Sequence, residues 1–199
     1  GTFLFEGIGA IILSVVFSEK FGISRGVYLG IFHAISAFCN AGFDVLGTLE
    51  PYGSLVPYAS NLIVNITIMV LIIIGGLGFI VWQDLYEKKF KFRNYLLQTK
   101  IVLVSSFLFL LGGAFLFYVF ECHHSLASLN QEEAILASLF QSVTCRTAGF
   151  NTIDVSNLRP ATSLLMMLLM FVGGSPGSTA GGIKTTTFSV LLIFVYATM

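Results

Sequence analysis

Charge is scarce in this sequence. Asp, Glu, Lys and Arg make up 10% of its 199 residues, against about 25% in an ordinary soluble domain. The ten basic and ten acidic residues cancel to a net charge of zero, so the basic footprint of a nucleic-acid-binding protein is missing. Cysteine is scarce as well. Cys39, Cys122 and Cys145 stand far apart, with neither metal-ligand spacing nor a disulfide framework. What abounds is apolar: 56% of the residues are hydrophobic, and the mean hydropathy is +0.90. So short a chain cannot hide that much apolar surface from water. Lipid is the expected solvent, and the expected location is a membrane crossed several times. Both ends lie inside apolar stretches (Gly1 to Phe5 and Val195 to Met199), and the chain is expected to be part of a longer protein.

A helix crossing the hydrocarbon needs about 20 apolar residues. Residues 3–18 read as the end of one span, 59–84 as a second, 101–120 as a third, and 161–199 as an interrupted fourth. Between them lie two shorter apolar stretches, 26–38 and 132–144. As a helix the first would be about 20 Å long, too short to cross, and each is expected to be re-entrant. Asn130 followed by Glu133 predicts a capping box at the start of the second. Lys88, Lys89, Lys91, Arg93 and Lys100 crowd the connection between spans two and three, half of all Lys and Arg. The positive-inside bias puts that connection in the cytoplasm. Both re-entrant segments then open to the outside, where Asp44, Glu50, Glu121, Glu132, Glu133 and Asp154 prevail.

The chain repeats itself. Ala41-Gly42-Phe43-Asp44 matches Ala148-Gly149-Phe150-Asn151, and each tetrad follows a short apolar stretch. Ile74-Gly75-Gly76-Leu77-Gly78 echoes Val172-Gly173-Gly174-Ser175-Pro176-Gly177, and Pro57 and Pro160 precede spans two and four. The expected fold is therefore all-α and membrane-embedded, with two copies of span, re-entrant helix, glycine turn and span. One repeat occupies 1–84 (turn 39–44), a cytoplasmic connection 85–98, and the second repeat 99–199 (turn 146–151). Both copies run in the same sense, so they are expected to be related by an axis along the membrane normal.

Backbone inside hydrocarbon must satisfy its own hydrogen bonds unless it lines a wet or ion-filled path. A re-entrant helix followed by a glycine turn departs from that rule once per repeat, and cation coordination is a natural reason. Carbonyl oxygens can replace a cation's hydration shell. Glycine permits the necessary backbone geometry, and the C-terminal ends of the short helices carry partial negative charge. Phe43 and Phe150 are expected either to anchor the turns from behind or simply to fill the core.

Three stretches together resemble the filter and gate segments of the Trk/Ktr/HKT potassium transporters, most closely the bacterial Ktr-type membrane subunit. They are Ser36 to Asp44, Arg146 to Asp154, and Gly173 to Thr185. The resemblance covers essentially the whole chain and matches it to the second and third of four repeats around one pore. It implies potassium uptake, with K+ the transported ion and no organic cofactor. It implies that the carbonyls of Asn40, Ala41, Gly42, Thr147, Ala148 and Gly149 line a filter. It also implies a homodimer of membrane subunits seated on a cytoplasmic nucleotide-binding ring. Cys145 departs from the Pro or Ser expected before the arginine.

Residues 173–182 hold five glycines and one proline, the poorest helix formers. One continuous helix over 161–199 would be about 58 Å long, far beyond the roughly 30 Å core, so a break is expected, with a plain kink as the alternative. The resemblance implies that 174–183 is a gate: Gly174, Ser175, Pro176, Gly177, Ser178, Thr179, Ala180, Gly181 and Gly182, with Lys184 beside them. Lys184 is expected either to repel cations or to snorkel toward the cytoplasm. Arg146 is expected to pair behind the filter with a carboxylate such as Glu132 or Asp154. His33 is expected to be packed rather than a ligand.

Enzyme readings fail on spacing. A phosphate-binding loop needs Gly directly before Lys, and Ile183 intervenes between Gly182 and Lys184. No histidine lies in a full span to activate a serine. The Thr-Val-Gly-Tyr-Gly filter of tetrameric potassium channels is absent. An alternating-access cation transporter, with the broken helix as substrate site, is the remaining alternative.

Overall fold

The computed structural model describes residues 1–47, 53–89 and 91–199, so the expectation for Glu50 lies outside the described residues. Apolar runs without internal proline become helices. α1 spans Thr2–Phe21, and α2, Ile23–Phe38, folds back along it after the single residue Gly22. The hairpin is tight because small residues face each other. A methyl group on Gly26 would stand 2.5 Å from the Ser18 backbone, and one on Gly30 would stand 2.5 Å from Ser14 N. Small residues let apolar helices approach this closely in membranes. α3, Leu62–Leu77, starts where the Asn61 side chain accepts from Val64 N and packs on both.

The span expected over 59–84 is not one helix. It breaks at Gly78 (φ 84) and continues as α4, Phe79–Glu87, bent by 91°. The cause lies 99 residues away. The chain around Pro176 and Gly177 fills the bend, Phe79 N donates to Gly177 O at 3.2 Å, and any Cβ at Gly78 would stand 2.6 Å from Pro176 O.

α5, Leu97–Glu121, is an unbroken 25-residue helix. α6, Gln131–Thr144, packs on α5 and α3 and begins at the expected capping box, with Asn130 N donating to Glu133 Oε2 at 3.2 Å. α7, Pro160–Phe171, and α8, Thr185–Thr198, both rest on α5 and are separated by an irregular loop. At 12 and 14 residues they are about 18 and 21 Å long, so the helical run over 161–199 is broken where its glycines and proline cluster.

Among the described residues, α1 and α5 are each long and apolar enough to cross a membrane, and α3 with α4 is a third such span if the bent pair is counted. The outward faces are apolar too: Ile11, Val15, Phe107, Leu108, Phe115 and Leu164 are all exposed, as suits a surface solvated by lipid chains. The largest core joins both halves. Leu13, Phe17, Leu29, Tyr58 and Ile68 meet Phe140, Val143, Ala148 and Phe150. This shared core positions the two glycine turns.

Candidate cation site

Each turn begins where a short helix runs out. After α2, Ala41 N donates to Ser36 O at 2.9 Å; after α6, Ala148 N donates to Thr144 O at 3.0 Å. Both turns then adopt left-handed φ at the same two repeat positions. Asn40 has φ 50 and Gly42 φ 69; Thr147 has φ 65 and Gly149 φ 102, whereas Ala41 and Ala148 stay at negative φ. Alternating handedness swings successive peptide groups to a common side, unlike an extended strand. Gly is the residue that takes positive φ without steric cost. At Asn40 and Thr147 the conformation is sterically disfavoured and must be held by neighbours.

Hydroxyl groups hold it. Ser36 Oγ donates to Phe43 O at 2.8 Å. Thr144 Oγ1 donates to Phe150 O at 2.7 Å and accepts from Gly149 N at 3.1 Å. The second turn is also held by the first repeat: Leu55 N donates to Asn151 O at 2.9 Å, and Asn151 N donates to Ser54 Oγ at 3.2 Å. The turns face each other. A methyl on Gly42 would collide with Ala148 O and stand 2.8 Å from Gly149 Cα. Among the described residues, no carbonyl of Asn40, Ala41, Gly42, Thr147, Ala148 or Gly149 accepts a hydrogen bond. Such oxygens cost free energy when buried from both water and donors.

The loop between α7 and α8 lies against the feet of these turns. Its base is closed by the pairing of Val172 with Ile183: Gly173 N donates to Ile183 O at 3.0 Å, and Ile183 N to Phe171 O at 3.1 Å. Its crown caps α3. Ser175 donates to Gly76 O from both N and Oγ at 3.0 Å, and Thr179 N donates to Gly75 O at 3.3 Å. The carbonyls of a last helical turn need such external donors. One glycine of each echoing pair also meets the other in space: a methyl on Gly174 would stand 3.0 Å from Gly76 O. Thr179 Oγ1 donates to Phe38 O at 2.9 Å, and Gly181 N donates to Thr147 Oγ1 at 3.0 Å.

Arg146 differs from expectation. Arg146 is buried at 6% exposure, yet among the described residues no carboxylate lies within ion-pair distance, and its Nη2 has no hydrogen-bond partner. Neither Glu132 nor Asp154 reaches it. Glu132 is exposed, and Asp154 is spent on its own loop, accepting from Ser156 N at 2.9 Å and Asn157 Nδ2 at 2.9 Å. Bonds from the Ser156 hydroxyl and N–H hold the Asp154 carboxyl below the usual carboxylate range. Lys184 folds back onto the loop, its Nζ donating to Ala180 O at 2.7 Å. His33 is packed, with Nδ1 2.7 Å from Leu29 O and its ring among Phe17, Phe32 and Phe150. Phe150 is fully buried, whereas Phe43 is 70% exposed.

Glu121, which the sequence groups with the exterior acids, is fully buried. It accepts from Arg159 N at 2.9 Å, from the Thr162 hydroxyl, and from Ser125 N at 3.2 Å, and it meets His124 Nδ1 at 3.2 Å. It thereby ties the end of α5 to the start of α7. Its position at the very end of an apolar run was the signal available for this role. The tying roles of Ser36, Thr144 and Thr179 left none.

The sequence model of the TrkH family, described as a cation transport protein, matches residues 2–197. Among curated relatives, the chain is similar to the potassium/sodium uptake protein NtpJ of Enterococcus hirae, with 44% identity over 96% of this chain and 41% of the relative. It is also similar to the Ktr system potassium uptake protein B of Bacillus subtilis, with 40% identity over 96% of this chain and 42% of the relative. Among solved structures, the potassium transporter TrkH from Vibrio parahaemolyticus shares the fold at a TM-score of 0.63 and 19% identity, over 92% of this chain and 38% of that one. The chain thus spans about two fifths of the length of the curated relatives it matches.

Proposed function

Because this chain belongs to the TrkH family of cation transport proteins, we propose that its two facing turns form part of the wall of a potassium filter in the cytoplasmic membrane. In this reading the carbonyls of Asn40, Ala41, Gly42, Thr147, Ala148 and Gly149 take the place of water around a dehydrated K+. One observation carries it. Two turns with the same pair of left-handed positions stand opposite each other, and none of these six oxygens accepts a hydrogen bond among the described residues. Oxygens left without donors beside one another are what a cation can compensate.

The segment 174–183 serves as the gate below this filter. Its support is position: it lies against both turns and is held there by neutral hydrogen bonds to backbone and hydroxyl groups, which water can replace. Small side chains leave room for an ion once it moves. Two turns do not surround an ion, so the pore needs further repeats. Phe43 bears on this. Phe150 packs on His33 of the preceding repeat, and the same relation applied once more gives the exposed Phe43 a place on a repeat that precedes residue 1 in the four-repeat protein. A dimer of such subunits, coupled to a cytoplasmic nucleotide-binding ring, is the assembly this reading carries over from the resemblance; the name of the Ktr-system relative supports no more than that it works as part of a system.

The test is made on the full-length protein. A crystal soaked in rubidium should hold density between the Ala41–Gly42 and Ala148–Gly149 turns. Density elsewhere, with these turns empty, would sink the filter. Deleting 174–183 should raise K+ flux in proteoliposomes; unchanged flux means that the loop is no gate. Conduction far above ordinary carrier turnover would exclude alternating access.

A further inference from the structure

Through one threonine hydroxyl on each side, the loop between α7 and α8 reaches the helix end that leads into the first glycine turn and the second turn itself. Thr179 Oγ1 donates to Phe38 O at 2.9 Å, and Phe38 is the last residue of α2, two before Asn40. Gly181 N donates to Thr147 Oγ1 at 3.0 Å, and Thr147 is itself a left-handed residue of the second turn, with φ 65. A β-branched residue keeps that conformation only when its surroundings impose it. For Thr147 the side-chain partner that does so belongs to the loop. Neither turn is built independently of the segment beneath it.

We propose that Thr179 and Thr147 are positioning residues that make the loop a structural part of the ion-binding turns. The inference rests on the transport reading above and goes beyond it. A plain gate obstructs and leaves the filter as it was. A loop tied to both turns also sets their geometry, so obstruction and ion binding form one coupled equilibrium. Coupling of this kind is reciprocal: the loop in place tightens the turns around the ion, and an ion in the turns holds the loop in place by the same factor. A neutral hydrogen bond of this type corresponds to about a fivefold change in an equilibrium constant.

The experiment uses the full-length protein, with two readouts. One is K+ uptake into proteoliposomes. The other is the K+ concentration that gives half of the K+-dependent thermal stabilisation in detergent. Thr179→Val is nearly isosteric and removes only the hydroxyl. It should raise uptake and shift the half-stabilising K+ concentration upward about fivefold. Thr179→Ser keeps the hydroxyl and should restore both values. Thr147→Val cuts the second tie from the other side and should shift the half-stabilising concentration in the same direction. If uptake rises while that concentration stays fixed in both valine variants, the loop is an obstruction only and the coupling is refuted. Wild-type protein that transports K+ without being stabilised by it also overturns the coupling. Wild-type vesicles that take up no K+ sink the transport reading itself.

Discussion

Asn40 and Thr147 occupy equivalent places and share a left-handed backbone conformation, which Asn tolerates better than most residues and β-branched Thr poorly. Their glycine partners two residues on carry the steric burden more easily. Gly42→Ala would add strain of about 1–3 kcal/mol from positive φ and would force the two turns apart at Ala148 O. The expected outcome is near-complete loss of K+ uptake with the protein still in the membrane, checked by flux and surface labelling. Glu121 makes a different kind of claim. Its removal leaves Arg159 N, Ser125 N and the Thr162 hydroxyl without their acceptor in a buried place. Glu121→Ala should therefore destabilise by about 2–4 kcal/mol, seen as a lowered thermal midpoint. Because Glu121 is remote from the turns in the hydrogen-bond network, the K+ preference of the surviving protein should stay as it was.

At the scale of the element, the broken helices were unequally legible. The interruption after α7 announces itself, because five glycines and a proline in ten residues cannot hold a helix. The start of α6 was readable from Asn130 and Glu133, and the ends of α2 and α6 from the Ala-Gly-Phe turns that follow them. The bend at Gly78 was not readable. It sits in a run of apolar residues that continues through Trp82, and what bends it is the distant Pro176–Gly177 segment. Local pattern reports a helix's own preferences and says little about a wedge delivered by tertiary contact. The same limit explains Arg146: the sequence shows that a buried guanidinium wants a carboxylate but not whether one is within reach. The loop's hold on α3 gives a prediction at this scale. Ser175→Ala removes one of two donors to Gly76 O and weakens the resting position of the loop by about 1 kcal/mol. K+ uptake should rise several-fold in the full-length protein, and a rise no larger than experimental scatter would argue that Ser175 does not restrain the loop.

For the whole molecule, the informative residue is Phe43. In the chain alone it is 70% exposed, whereas its counterpart Phe150 is fully covered by the neighbouring repeat. If a further repeat covers Phe43 in the full-length protein, Phe43→Ala should cost about 3–5 kcal/mol of stability, measured by denaturant or thermal unfolding. If the residue stays exposed there, the change should fall within about 0.5 kcal/mol. The repeat itself was visible in the duplicated tetrads. How the copies interlock was not, because the bonds from Asn151 N to Ser54 Oγ and from Leu55 N to Asn151 O join segments with no motif in common.

The capping of α3 has a further consequence. While the loop is seated, the oxygens of Gly75 and Gly76 are occupied by its donors. Were the loop to lift as the proposed gate requires, the same two oxygens would be stripped bare at the electronegative tip of a helix, close beside Phe38. An ion leaving the narrow turns would then meet a stepping stone that did not exist a moment earlier. Unblocking the way and furnishing the next perch would be one event, and the path would be sticky for cations only while it is open.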